Sequence, residues 1–414
     1  MEQVTIERLG HQGDGIAPGP VFVPATLPGE VVEGEISGGV MAAPKIVTPA
    51  DTRVKPPCRH AKSCGGCALQ HASDDFVAGW KVDVVRNALT AQGIDAPFRP
   101  IHTSPARSRR RAVFAARRTK KGALVGFHGR ASGTIVEIPD CQLLRPELMA
   151  ALPVAEALAL QGASRKGALA VTVTLSEAGL DLAVTGGKPL DGALQLTLAQ
   201  LAEAQGLARL TWEDEVIALR LPPAQPFGRA HVVPPPGAFL QATREGEAAL
   251  LQAVREIVGD ARKVVDLFAG AGTFSLPLAE LAEVHAVEGD RAMTQALDAG
   301  WRRAQGLKRV TTEARDLFRR PLMPDELSPF TAPFDAAVID PPRAGAEAQI
   351  EQLAAAKVPV IAYVSCNPVT FARDAAQLRQ AGYRLNWVQV VDQFRWSTHV
   401  ELVGAFSRAD MKQA

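Results

Sequence analysis

From about residue 243 onward, short apolar runs rich in Val, Ile, Leu and Ala alternate with stretches whose apolar residues recur at helical spacing. Strands are expected at 263–267, 284–288, 309–313, 334–339 and 358–364, and helices at 243–258, 273–283, 291–304, 346–356 and 369–381. No other feature limits the fold as much. Strands separated by helices pair in parallel, so the pattern predicts a doubly wound sheet with helices on both faces. Two longer β segments, near 383–391 and 400–407, are expected to close the chain as an antiparallel pair. In such a sheet the ligand crevice lies beyond the carboxyl ends of the strands, so the residues ending each strand carry the chemistry.

The first strand and its turn read Val264-Val265-Asp266-Leu267-Phe268-Ala269-Gly270-Ala271-Gly272-Thr273-Phe274. Glycine lets the backbone approach a ligand closely. A dinucleotide fingerprint carries a third glycine about three positions on; Ser275 stands there instead, which makes a poor pyrophosphate cradle. Glu288 ends the second strand, where a carboxylate can accept both hydroxyls of a ribose, and Asp266 precedes the turn. This pair of acids suits S-adenosyl-L-methionine, whose charges lie on an amino acid and a sulfonium. Asp316, after the third strand, is expected near the adenine edge. A generic strand–turn–helix is the plainer alternative.

Val338-Ile339-Asp340-Pro341-Pro342-Arg343 ends the fourth strand. Paired prolines stiffen the loop. Enzymes that methylate an exocyclic amine usually place an aromatic residue after this motif, and Arg343 stands there instead. Cys366 ends the fifth strand in Tyr363-Val364-Ser365-Cys366-Asn367-Pro368. Taken singly, such a thiol is more often a packing residue. Beside a methyl donor it has a specific use. A thiolate added to carbon 6 of a uracil makes carbon 5 nucleophilic, and a base must later remove the carbon 5 proton. Glu401 is the candidate base, and strand alternation puts His399 on its face; a solvated hairpin carboxylate is the bland reading of Glu401.

Upstream, residues 1–52 read as short strands broken by glycine and suggest a small β-barrel, followed by a central unit over 53–235 and the α/β unit over 236–414. A helical stripe over 71–92 is allowed to pack on the last unit. Cys58, Cys64, Cys67 and Cys141 supply the ligand count of a tetrahedral site, and from the residues alone zinc and a [4Fe–4S] cluster are both admissible. Arg107, Arg109, Arg110, Arg111, Arg117, Arg118, Lys120 and Lys121 crowd together and suggest contact with an RNA backbone. The formal net charge is only +1, so polyanion binding must come from such local clustering. No secretory leader and no membrane span are expected, which points to the cytoplasm and reduced thiols. A monomer is the default.

Together these residues resemble the RNA uracil-5-methyltransferase family, in its branch with an N-terminal TRAM barrel and an iron–sulfur cluster. The resemblance is carried by Asp266–Phe274, Asp340–Arg343, Ser365–Pro368, His399–Glu401 and the cysteine spacing. It implies a multidomain α/β protein: an OB-like TRAM barrel, a central α+β domain with a four-cysteine cluster, and a C-terminal Rossmann-like class I methyltransferase domain. Cys366 is then the nucleophile, Glu401 the base, and Asp340 a group at both cofactor and base. Gln241, Phe268, Thr273, Glu288 and Asp316 are the donor-contacting positions, and the four cysteines hold [4Fe–4S]. The implied substrate is RNA, ribosomal ahead of transfer RNA. Two departures stand out: Thr273 replaces a common Asn, and Arg395-Trp396 replaces a proline-containing turn. The rivals are an RNA cytosine-5-methyltransferase, which usually carries a second crevice cysteine, and an RNA-binding or ribosome-assembly factor without the chemistry.

Overall fold

The computed structural model describes residues 1–328 and 332–409. Seven strands form most of the C-terminal sheet: β1 (Lys263–Leu267), β2 (Glu283–Glu288), β3 (Val310–Ala314), β4 (Ala336–Ile339), β5 (Val360–Ser365), β6 (Tyr383–Asp392) and β7 (Leu402–Arg408). Across the sheet they run β3-β2-β1-β4-β5-β7-β6, with His102–Thr103 as an eighth strand beyond β6. The five strands β1 to β5 pair in parallel, and β7 lies antiparallel between β5 and β6. Strand order reverses between β1 and β4, which opens a crevice at their carboxyl ends.

Each helix covering this sheet has a local cause. Helix Arg244–Val258 begins where the Thr243 hydroxyl accepts the Gly246 N–H at 2.9 Å, carries Glu245 and Glu247 in its first turn, and stops at Gly259 with φ +56°. Acids at the amino end complement the helix dipole. Leu250 and Val254 lie four apart on its buried face. The helix expected over 273–283 is reduced to Ser275–Leu278. Gly272, at φ +97°, cannot be helical, and Glu283 already pairs in β2. One face of the sheet packs on Leu250, Val254, Met293 and Leu297, the other on Ile350, Leu353, Phe371 and Leu378.

The helix Asp74–Ala91 follows the cysteine segment in sequence but packs with the C-terminal unit. Its Val85 and Leu89 are fully buried against Leu378 and Val388, a contribution of roughly 1.5–3 kcal/mol for each side chain. Lys81 on the same helix reaches Asp392 at the end of β6, Nζ to Oδ1 2.6 Å, with both side chains buried. The central unit is a seven-stranded sheet from Arg111–Arg118 to Glu215–Leu219, backed by helices Ala151–Gly162 and Gly192–Ala204. At the amino end, two three-stranded sheets share a core of Ile6, Val21, Val23, Val32 and Met41. Among the described residues no helix is long and apolar enough to cross a membrane.

The basic run does not form one solvated strip. Arg110 is buried, donating to Glu247 Oε2 at 2.5 Å and to the Gln241 carbonyl at 3.0 Å. Arg111 donates to the Gly237 carbonyl at 2.9 Å. These two arginines tie the central sheet to the C-terminal unit, while Arg107, Lys120 and Lys121 stay exposed.

Candidate active site

The turn after β1 is held in a costly conformation. Phe268 has φ +62°, a region where a non-glycine residue costs on the order of 1 kcal/mol or more. Its ring packs on Phe318 with centroids 5.4 Å apart. Glu288 braces this turn: Oε2 accepts the Gly270 N–H at 3.0 Å and Oε1 accepts the Asp290 N–H at 2.9 Å. Asp266 lies deeper. It is fully buried, accepts the Ser275 hydroxyl at 2.5 Å, and leaves Oδ1 without a partner.

A second anchored loop faces the first. Asn367 caps helix Pro368–Gln380 by accepting the Val369 N–H at 3.1 Å, while its amide donates to the Arg343 carbonyl at 2.8 Å. The Pro341-Pro342-Arg343 loop and the Cys366 turn are therefore tied together through Asn367, with Cys366 just ahead of a helix amino end.

Between these loops lies a cavity of about 720 Å³, walled by Gln241, Phe268, Thr273, Glu288, Asp340, Arg343, Cys366, Phe394, His399 and Glu401, among others. Its size suits a small-molecule ligand together with part of a substrate. A wider groove of about 1020 Å³ meets it at Arg343, Cys366 and His399. That groove runs between Glu7–Gln12 of the N-terminal unit, Phe76 and Trp80 of helix Asp74–Ala91, and Asn367–Val369. Cys366 stands where the two spaces join.

The expected residues thus come together, with one exception. Asp316 is not on the cavity wall; its Oδ1 accepts the backbone N–H of Phe318 at 3.0 Å, and so holds Phe318 against Phe268. Two residues went unread in the sequence. Phe394 walls the cavity, and Gln393 lies buried behind it. The available signal was that the apolar residues Val388, Val390 and Val391 run straight into the polar pair Asp392-Gln393.

Three acidic groups crowd this space. Burial, then the Glu401 and Asp340 charges, push the Cys366 thiol up to about 11, with Arg343 pulling the other way. Burial and the Asp340 charge raise Glu401 to about 8, against a lowering hydrogen bond from Gln393. Burial and Glu288 raise Asp340 to about 7. Every one of these shifts opposes negative charge, so the cavity favours a cationic occupant.

Cys58, Cys64, Cys67 and Cys141 face one narrow cavity of about 20 Å³. Burial, and then the neighbouring thiols, raise Cys64, and the same causes with a lowering hydrogen bond from Gln70 take Cys67 up to about 12. Among the described residues no group of His, Cys, Asp or Glu has the arrangement of a metal site. Arg109 is half-buried beside these thiols and lies 5.7 Å from the Phe394 ring centroid. Among the described residues no carboxylate pairs with it; burial lowers its pKa, and the nearby Cys67 and Cys141 sulfurs act against that shift. The peptide bonds of the same loop reach the active site: Ala68 and Leu69 donate their N–H groups to the Trp396 carbonyl at 2.8 and 2.9 Å.

A doubly wound sheet in this order, with an acid-walled cavity at its switch point, defines a methyltransferase fold. The same fold is found in the Pyrococcus abyssi tRNA (uracil-54, C5)-methyltransferase complexed with S-adenosyl-L-homocysteine, with a TM-score of 0.74, 22% identity, and coverage of 98% of this chain and 99% of that one. The family model described as tRNA (Uracil-5-)-methyltransferase matches residues 303–408. An uncharacterized RNA methyltransferase of Brucella suis is 45% identical over 409 residues, covering 98% of each chain. A 23S rRNA (uracil(1939)-C(5))-methyltransferase of Halomonas elongata is 35% identical, covering 96% of this chain and 88% of that one. The chain belongs to the RNA uracil-5-methyltransferase family, and it is an enzyme dependent on S-adenosyl-L-methionine.

Proposed function

We propose that this enzyme methylates carbon 5 of a uridine in 23S ribosomal RNA, in the cytoplasm, as a monomer, through a covalent bond between Cys366 and carbon 6 of the base. The reading rests on one observation: Cys366, Glu401 and Asp340 wall the same cavity. S-adenosyl-L-methionine, when bound, would supply an electrophilic methyl group, its S–CH3 bond breaking to leave neutral S-adenosyl-L-homocysteine. Phe268, Thr273, Glu288, Asp340 and Gln241 are the residues fitted to hold it, and the acids among them favour its positive charge. The RNA target follows the Halomonas relative, which is similar over nearly the whole chain; the alternative, transfer RNA, has behind it the description of the family model over residues 303–408 and the fold likeness.

Cys366 gives its proton to solvent and its Sγ bonds to carbon 6, pushing an electron pair onto the base as an enolate. Carbon 5 then takes the methyl group. Glu401 accepts the carbon 5 proton, the electron pair restores the ring double bond, and the thiolate departs unchanged. The wide groove beside Cys366 is the route for RNA, with the uridine turned out of its stack to enter. The single thiol in the crevice favours uracil over the cytosine chemistry that uses two.

The four front cysteines are the residues that would hold a [4Fe–4S] cluster. Four thiols line one cavity, a donor set that a cation would stabilise, and the Arg109 charge is suited to a net-negative metal–thiolate group. Its role is structural in this reading, through the Ala68 and Leu69 bonds to the Trp396 carbonyl.

RNA carrying 5-fluorouridine at the target tests the chemistry, since fluorine cannot leave as a proton. The enzyme should accumulate a covalent RNA–protein adduct that vanishes in Cys366→Ala, while S-adenosyl-L-methionine still binds. Methylation of ordinary RNA by Cys366→Ala would overturn the mechanism.

A further inference from the structure

Resting on the reading of Glu401 as the base, we propose that Gln393 is a positioning residue that holds Glu401 as a ready carboxylate and joins it to the methyl-donor wall. Gln393 spends every hydrogen-bonding atom of its side chain. One Nε2 hydrogen goes to Glu401 Oε2, the other to Gln241 Oε1 at 2.5 Å, and its Oε1 accepts the Ala242 N–H at 2.7 Å. Gln241 in turn donates to Asp340 Oδ2 at 3.3 Å. A continuous chain of side chains, Glu401–Gln393–Gln241–Asp340, therefore runs behind the cavity.

The position is built for this side chain. Gln393 is 1% exposed. Helix Arg244–Val258 comes so close that a Cβ at Gly246 would lie 2.6 Å from the Gln393 Cβ, so glycine is required there. Asp392, directly before it, is pinned by Lys81. Buried amides with all partners satisfied have one rotamer, which fixes what they touch.

An amide N–H aimed at a carboxylate favours its charged form. Burial and the Asp340 charge after β4 work on Glu401 in the opposite direction, with Glu288 raising Asp340 from β2; Cys366 after β5 faces Glu401 and is itself raised by it. Arg343 reaches Cys366 but is no cause of the Glu401 shift, and the Lys81 ammonium is already committed to Asp392. Gln393 is therefore the neutral group that keeps the base ionisable without adding a charge. A hydrogen bond to a charged acceptor is worth roughly one to two pH units of acidity.

The test compares wild type, Gln393→Met, Gln393→Glu and Glu401→Gln in methyl transfer to 23S RNA across pH, together with adduct formation on 5-fluorouridine RNA, a step in which no proton leaves carbon 5. Met keeps the volume and loses all three bonds; Glu keeps the acceptor for Ala242 but loses both donors. In both variants the acid limb of the rate profile should move up by about one to two pH units, with a loss of about tenfold or more at pH 7 that recovers at high pH. Adduct formation at saturating donor should stay near the wild-type rate. An unmoved acid limb, or a loss equal at every pH and shared by adduct formation, overturns the proposal. If the Met variant fails to fold, the Glu variant decides. Full turnover by Glu401→Gln would instead refute the underlying assignment of the base; an inactive Glu401→Gln beside an unaltered Gln393→Met refutes this inference alone.

Discussion

Replacing Lys81 by Met should open the link between helix Asp74–Ala91 and the catalytic strand end. The Lys81 side chain is 0% exposed and that of Asp392 2%. Burial lowers the lysine pKa, against the pull of Asp392, so the pair exists only because each charge neutralises the other. Removing one partner of such a pair costs about 3–5 kcal/mol, because the remaining charge stays buried. Asp392 Oδ1 keeps the Phe394 N–H at 3.0 Å, while the Phe394 carbonyl loses its bond from Nζ at 3.1 Å. The first effect places the expected loss at about 3 kcal/mol, the lower end. Adding Asp392→Asn removes the orphaned charge and preserves an acceptor for Phe394, so the double variant should return to within about 1–2 kcal/mol of wild type. Urea unfolding followed by tryptophan fluorescence gives the midpoint shifts. A single-variant loss below about 1 kcal/mol, or a double variant as weak as the sum of the singles, would refute a buried ion pair as the clamp.

Two further outcomes are expected. With no ligand bound, the Cys366 thiol titrates at about 11, so at pH 8 only about one molecule in a thousand holds a thiolate and iodoacetamide should label it slowly, roughly tenfold faster per pH unit up to 10. S-adenosyl-L-methionine should speed labelling at pH 8 more than S-adenosyl-L-homocysteine, which lacks the sulfonium charge; equal effects would remove the electrostatic argument. Protein purified without oxygen should absorb visible light through thiolate-to-iron charge transfer and lose that absorption in Cys141→Ser. Colourless protein containing zinc would replace the cluster with the other admissible metal, and metal-free protein would refute both.

The alternation of strand and helix was legible because each element announces itself within a few residues. β1 falls on the expected 263–267, and Glu288, Asp340 and Cys366 end or directly follow their strands. Where packing overrode local pattern, the reading failed. The basic run suggests that Arg110 contacts an RNA backbone, yet it is buried and pairs with Glu247, 137 positions away. Asp316, expected near the adenine edge, spends one carboxylate oxygen on the Phe318 N–H of its own loop, a bond that no local period announces.

By itself the sequence determined the order of elements and the residue types at the strand ends, since these depend on period and on chemistry local to each segment. Only the tertiary structure decided that Gln393 bonds Glu401 and Gln241 at once, that Lys81 meets Asp392, and that the cysteine loop reaches Trp396. Those contacts join residues as many as about 330 positions apart, and no periodicity extends that far. They exist because burial removes water as a competing partner, which leaves each polar group to find its complement wherever the fold brings one.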